Sequence, residues 1–226
     1  MTRLSIIVPV LNESALLPQA IQQLQDWDKK TGCEVIIVDG GSSDGSADML
    51  KKSGIQTVYS CKGRAIQMNS GAAVARGDVL LFLHIDTQLP HDADQLIADQ
   101  AQNPVFAWGR FDVRIDSRHW LLALVSAMIN WRSRLSGIAT GDQALFIRAD
   151  IFRQIGGYTE QPLMEDIDIS RRLLEFSDPV CLKQRVITSA RRWQKHGMVR
   201  TILLMWRLRY LYWRGVPAEK LAREYA

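Results

Sequence analysis

Four short runs rich in branched apolar residues constrain this chain most. They are Leu4–Val10, Glu34–Asp39, Ile55–Tyr59 and Val79–Leu83. Runs of this length and composition read as strands buried on both faces. Between them, Ser14 to about Lys30, Ser46–Ser53 and Gly63–Ala75 carry helical spacing. Strand and helix in alternation predict an α/β fold, with a mainly parallel central sheet flanked by helices.

Carboxylates stand just past these runs. Asp39 closes Val35–Val38, and Asp86 lies shortly beyond Leu80–Leu83. Glu165 and Asp166 open a later amphipathic segment. In an open α/β sheet the carboxyl ends of the strands are where ligands bind. A charge there resists burial unless it is paired, bound to a metal or in use. The acids therefore point to a site.

After Asp86 the alternation loosens. Pro90–Gln100 and His119–Trp131 read as helices, Val105–Ile115 and Ala144–Ile147 as strands, and Glu165–Phe176 as a helix. A final helix is expected over Met198–Trp213. The 226 residues suffice for one domain with a buried core. Cys33, Cys61 and Cys181 are odd in number and far apart, which suggests neither a disulfide framework nor a metal knuckle. With no leader expected ahead of the first strand, a reducing, cytoplasmic setting is the expectation. No apolar stretch reaches the roughly 20 residues of a membrane span.

The net charge of +4 conceals an asymmetry. From Lys183 to Ala226 there are eleven Lys or Arg and two acids, a balance of +9, so the first 182 residues carry −5. A basic tail on an acidic body suggests an anionic partner.

Two common nucleotide motifs are missing. The turn after the first strand reads Pro9-Val10-Leu11-Asn12-Glu13, not the Gly-x-Gly-x-x-Gly of dinucleotide-binding folds. No phosphate-cradling P-loop occurs either. Gly40-Gly41-Ser42-Ser43-Asp44-Gly45 follows the second strand instead, and by itself reads equally well as a flexible turn. Lys62, Arg64 and Gln67 sit near a helix start, where backbone N–H groups favour anions, although a solvated basic pair reads as well.

In sequence, five segments resemble the inverting glycosyltransferases of the GT-A fold, family 2 type. They are Ser5–Glu13, Val38–Ser46, Asn69-Ser70-Gly71 through Asp86, Gly141-Asp142-Gln143 and Met164-Glu165-Asp166. The likeness spans roughly Leu4 to Arg172 and is similar to a compact bacterial branch, some members of which are linked to arsenosugar biosynthesis. It implies one GT-A domain with a nucleotide-sugar-binding half (1–100), an acceptor and catalytic half (101–182) and a basic amphipathic helical extension (183–226).

The resemblance also implies roles. The donor would be a nucleotide-diphosphate sugar. Pro9, Asn12 and Glu13 would border the nucleotide, Asp39 would accept a hydrogen bond from the base, and Asp44 would line the nucleoside pocket. Arg64 would approach the diphosphate. Asp86 matches the second acid of the family's Asp-x-Asp motif and would hold a divalent cation, Mn²⁺ or Mg²⁺. His84 replaces the first acid and would touch sugar or phosphate, a structural role being an open alternative. Asp166 is the expected general base, at a helix start that also suits a capping acid. Asp142, Gln143 and Glu165 would line the acceptor side. Trp193 keeps part of the Gln-x-x-Arg-Trp acceptor motif, and His196 is a further candidate metal ligand.

On the final helix, Val199, Leu203, Trp206, Tyr210 and Trp213 share a side, and Arg200, Arg207 and Arg214 recur every seven residues. Such a helix suits an anionic membrane surface, or packing on its own domain with a solvated basic edge. The former would suit a lipid-linked acceptor and peripheral attachment to the inner membrane face. No nucleic acid is expected. Competing readings are a sugar-nucleotide-binding protein without catalysis, a nucleotidyltransferase, and a glycoside hydrolase with two carboxylates.

Overall fold

The computed structural model of the chain describes residues 3–225, with the side chain of His196 outside the description. Its elements run β1 (Leu4–Val10), α1 (Leu17–Asp28), β2 (Cys33–Asp39), α2 (Ser46–Ser53), β3 (Gln56–Tyr59), α3 (Arg64–Val74), β4 (Val79–Phe82), β5 (Thr87–Gln88), α4 (Ala93–Ala101), β6 (Trp108–Asp116) and α5 (Trp120–Ser136). A 3-10 turn at Gly141–Gln143 follows, then β7 (Phe146–Arg148), α6 (Ala149–Gln154), α7 (Glu165–Leu173), β8 (Val180–Ser189), α8 (Arg191–His196), α9 (Met198–Trp213) and α10 (Ala218–Tyr225). The strands form one sheet in the order β3-β2-β1-β4-β7-β6-β8-β5.

In the first half the side chains alternate as a pleated strand requires. Leu4, Ile6 and Val8 of β1 join Leu17 and Leu24 of α1 on one face. Ile7 joins Ala65 and Met68 of α3 on the other. The β3, β2, β1 and β4 pairings are all parallel. Helix α3 lies so close to the sheet that a Cβ on Gly71 would meet Ile7 at 2.5 Å, so only glycine fits there.

Beyond β4 the sheet becomes mixed. β7 runs antiparallel to β4 and to β6, while β8 runs parallel to β6. The strand expected from Val105 starts at Trp108, and β8 was not foreseen. Its register with β6 slips between Phe111 and Asp112, whose partners are Leu182 and Arg185. Lys183 and Gln184 bulge out of the ladder, and their exposed side chains break the alternation by which a strand is recognised.

A buried polar seam fixes α5 on β6. The Asn130 side chain accepts from the Val113 N–H at 2.8 Å and donates to its carbonyl at 2.9 Å. Arg110, wholly buried, pairs with Asp112, to which Arg134 also donates at 2.8 Å. These bonds set the rotation of α5 as well as its position.

Helix α9 spans Met198–Trp213 as the spacing predicts, but its apolar stripe faces outward. Val199, Leu203, Trp206, Tyr210 and Trp213 are all more than half exposed. The helix packs inward through Leu208, with Leu204 and Leu211, onto Leu163 and Met164. The helix thus packs on its own domain, as one of the two readings expected, but through a different face from the stripe. Among the described residues no helix is long and apolar enough to cross a membrane.

Candidate active site

A cavity of about 990 Å³ opens at the carboxyl ends of β1 and β4. Pro9 lines it from β1, Glu13 from the loop that follows, and Arg64 from the start of α3. His84 and Asp86 line it from beyond β4, and Asp142 from the 3-10 turn. Glu165 and Asp166 reach it from the start of α7, and Trp193 from α8. Residues spread over the whole chain thus converge on one space.

Asp166 is held by two backbone donors. Gly141 N–H reaches one carboxylate oxygen at 3.0 Å and Ile167 N–H the other at 2.8 Å. These bonds leave lone pairs free toward the cavity. Glu165 is buried and meets the Arg64 guanidinium at 3.3 Å. Burial and the adjacent Asp166 push its carboxyl above the usual range, against the pull of Arg64.

Asp86 is desolvated, which raises its carboxyl above the ordinary range although the His84 and Arg191 charges oppose the shift. Its carboxylate has only a long 3.5 Å contact from the Thr87 hydroxyl and no ion pair among the described residues. A carboxylate so placed suits a divalent cation. Among the described residues no group of three or more acids, histidines or cysteines could enclose a metal. A single carboxylate can hold a cation only where substrate phosphates and water complete its ligands.

His84 lines the cavity while tied to a neighbouring turn. Its Nδ1 lies 3.2 Å from the Asp142 carboxylate, and its ring packs where a Cβ on Gly141 would sit 2.6 Å from Nε2. The imidazole thus joins the end of β4 to the 3-10 turn. Burial opposes ionisation of Asp142, but the His84 hydrogen bond and the charges of His84, Arg64 and Arg209 outweigh it and lower its pKa.

Four expected residues do not line the cavity. Asn12 and Asp44 cross-link the loops after β1 and β2: Asn12 accepts from Ser43 N–H at 2.8 Å, and Asp44 from Ser14 N–H at 2.9 Å. Hydrogen bonds from Ser46 and Ser14 hold Asp44 well below the usual carboxylate range. Asp39 is buried and accepts from the Ser42 hydroxyl at 2.6 Å, so it braces the glycine-rich loop. Gln143 is wholly buried and accepts from Thr140 N–H at 3.2 Å, which makes it a support of the turn. The side chain of His196 lies outside the described residues.

Other features were not foreseen. Arg191 makes a two-pronged pair with Glu13, at 2.9 and 3.1 Å, joining the C-terminal region to the end of β1. Arg192, beside the cavity, packs over the Tyr225 ring at 3.8 Å. Lys195 and Arg209 continue this basic wall. The excess charge of the tail was its only signal in the sequence. Among the described residues three non-glycines have positive φ: Asn12 (53°), Ala144 (46°) and Met164 (66°). Each lies in a loop beside the cavity, where strained backbone aims functional groups.

The family model described as Glycosyl transferase family 2 matches residues 5–155. An undecaprenyl-phosphate 4-deoxy-4-formamido-L-arabinose transferase of Pseudomonas paraeruginosa is 29% identical over 158 residues, 64% of this chain and 46% of that protein. Its Proteus mirabilis counterpart is 30% identical over 159 residues, 65% of this chain and 48% of that one. The chain spans about half the length of the curated relatives it matches. Among solved structures, the Pyrobaculum calidifontis mannosyltransferase in complex with GDP-Man and Mn²⁺ aligns with a TM-score of 0.65 at 17% identity, covering 92% of this chain and 61% of that one. The S. aureus TarS 1–349 fragment in complex with UDP aligns at 0.67 and 18% identity, covering 83% and 60%. Its curled mixed sheet is the GT-A fold, and the chain belongs to glycosyl transferase family 2.

Proposed function

We propose that this protein moves a sugar from a nucleotide-diphosphate sugar to an acceptor hydroxyl, with inversion at the anomeric carbon. The observation that carries this reading is the position of Asp166. It is fixed by two backbone N–H groups and faces the same cavity as Asp86 and the end of β1.

In this reading the nucleoside lies toward Pro9 and the cross-linked loops after β1 and β2. Arg64, half exposed and already beside Glu165, faces the sugar and diphosphate. Asp86 would hold a divalent cation, and the bound cation would offset the charge that grows on the departing diphosphate. Asp166 accepts the proton of the acceptor hydroxyl as its oxygen bonds to the anomeric carbon. The bond from that carbon to the diphosphate oxygen breaks, and the nucleoside diphosphate leaves with the electron pair. Leu208 and Leu221 brace Leu163 and Met164, and so hold Asp166 at its station. Asp166→Asn should abolish transfer and preserve nucleotide binding, read by a turnover assay beside calorimetry. Near-normal turnover would exclude it as the base.

The acceptor proposed is lipid-linked, at an anionic membrane face. Trp120, Leu124, Met128, Trp131 and Leu135 of α5 are exposed, as is the apolar stripe of α9. Both helices contribute to the cluster around Leu122 and Val125, through Ile129 and Ile202. With Arg200, Arg207 and Arg214, this surface combines aromatic anchors and positive charge. The curated relatives are named for undecaprenyl phosphate, which supports this choice. The protein should sediment with anionic vesicles at low salt, and absence of binding there would remove the membrane from the account.

A further inference from the structure

Gln67 ties together the two strand ends beside the glycine-rich loop. It stands in the first turn of α3, is 4% exposed and lines the cavity. Its Nε2 donates to the Val10 carbonyl at 2.7 Å and to the Val38 carbonyl at 2.9 Å, at the ends of β1 and β2. A glutamine amide is ordinarily ambivalent, because it can turn to offer either its oxygen or its N–H groups. Here it cannot turn. Both N–H groups are engaged by carbonyls, and a reversed amide would set its oxygen against two others. A neighbouring wall holds it too. A Cβ on Gly40 would lie 2.9 Å from the amide carbon and 3.0 Å from its nitrogen and oxygen. Gly40 is not among the glycines of positive φ, so its missing side chain serves this close approach and not a turn.

The amide oxygen is what remains. Oε1 takes no hydrogen bond among the described residues, and it is not one of the atoms sealed from solvent without a partner. A fixed, open acceptor on a nine-tenths buried side chain matches a ligand N–H and repels a ligand lone pair. Its place is where the nucleoside is put above, at the strand ends that also carry Asp39 and the cross-linked loops.

We propose that Gln67 selects the base of the donor nucleotide, its Oε1 accepting a ring N–H from the base's Watson–Crick edge. This rests on the donor reading above. A locked acceptor selects by sign. Uracil and guanine present a ring N–H there, whereas cytosine and adenine present a bare ring nitrogen that would leave Oε1 unpaired. The test is calorimetric binding of UDP, GDP, CDP and ADP, each with Mn²⁺, to the wild type, Gln67→Ala and Gly40→Ala. The tighter of UDP and GDP should exceed both CDP and ADP by about tenfold or more in the wild type. Methylating its ring nitrogen, as N3-methyl UDP or N1-methyl GDP, should weaken it by about the same factor. That comparison reads the contact without any substitution. In Gln67→Ala the base preference should shrink to about twofold, and the methylated nucleotide should bind about as well as its parent, because the amide's space is free. Gly40→Ala keeps the amide but displaces it, and should lose most of the preference as well. Tm should fall in both variants, since the amide also joins β1 to β2. A brace alone would weaken all these nucleotides alike, so the ratio between bases is the readout. A preference unchanged in both variants, CDP or ADP binding as tightly as UDP and GDP, or methylation without effect would overturn the role of Gln67 and leave the donor site standing. Binding of no nucleoside diphosphate would remove the donor reading and this role with it.

Discussion

The two halves of the molecule build their sides of the cavity differently. Around β1, β2 and β4 the strands are parallel and apolar on both faces, and their loops are cross-linked by short hydrogen bonds such as Asn12 to Ser43. Around β6, β8 and α9 the sheet is mixed and bulged, the helices are held by a polar seam, and large apolar side chains face outward. In the function proposed, the first half frames the nucleotide, and the second offers the acceptor its basic wall and exposed apolar surface. Rigid scaffold and adaptable rim are a common division of labour in binding sites.

The largest expected effect tests whether the halves meet in chemistry. Asp166→Asn should lower turnover by about 10²–10⁴-fold, the usual worth of a general base, with nucleotide binding intact in calorimetry. Loss of both would instead make Asp166 a structural brace between Gly141 and α7.

Much of the first half was legible because periodicity reports burial directly. β1 and α2 fall where the spacing puts them, and Asp86 and Asp166 do reach the cavity. The hydrogen bonds of Asp39 and Gln143 to their own loops were not legible. Local hydrogen bonding of that kind depends on backbone dihedrals that no residue pattern encodes. β8 stayed hidden because its bulge interrupts the alternation.

Gly141→Ala would sharpen the comparison at its seam. The added Cβ would displace the His84 ring, break its bond to Asp142 and free the 3-10 turn that steadies Asp166. Turnover should fall by about tenfold or more while nucleoside diphosphate affinity changes less, a split read from kcat against titration. Replacing Trp206 and Trp213 together by Ser should reduce sedimentation with anionic vesicles and leave Tm nearly unchanged, since both side chains are already exposed. A large fall in Tm would show that α9 is packed through that face.

Asp86→Asn should raise Tm, read in a thermal melt at neutral pH. The raised carboxyl means that the folded protein holds this proton more tightly than the unfolded chain, so stability declines as pH rises through the ionisation window and the charged form is a cost at neutral pH. Smallest of all should be Glu13→Gln. The Glu13–Arg191 pair is partly exposed on both sides, and a thermal melt should register a loss of about 1 kcal/mol or less.

The most direct test of the account is a calorimetric titration of UDP and GDP into wild type and Asp86→Asn, with and without Mn²⁺ or Mg²⁺, across a falling pH series. One nucleotide should bind the wild type more tightly with the cation. That gain should fade on acidification at a pH above the ordinary aspartate value of about 3.9, as Asp86 takes up its proton, and it should be absent from Asp86→Asn. Binding of neither nucleotide, or a cation effect that survives in Asp86→Asn, would contradict the reading of this cavity as a metal-assisted donor site.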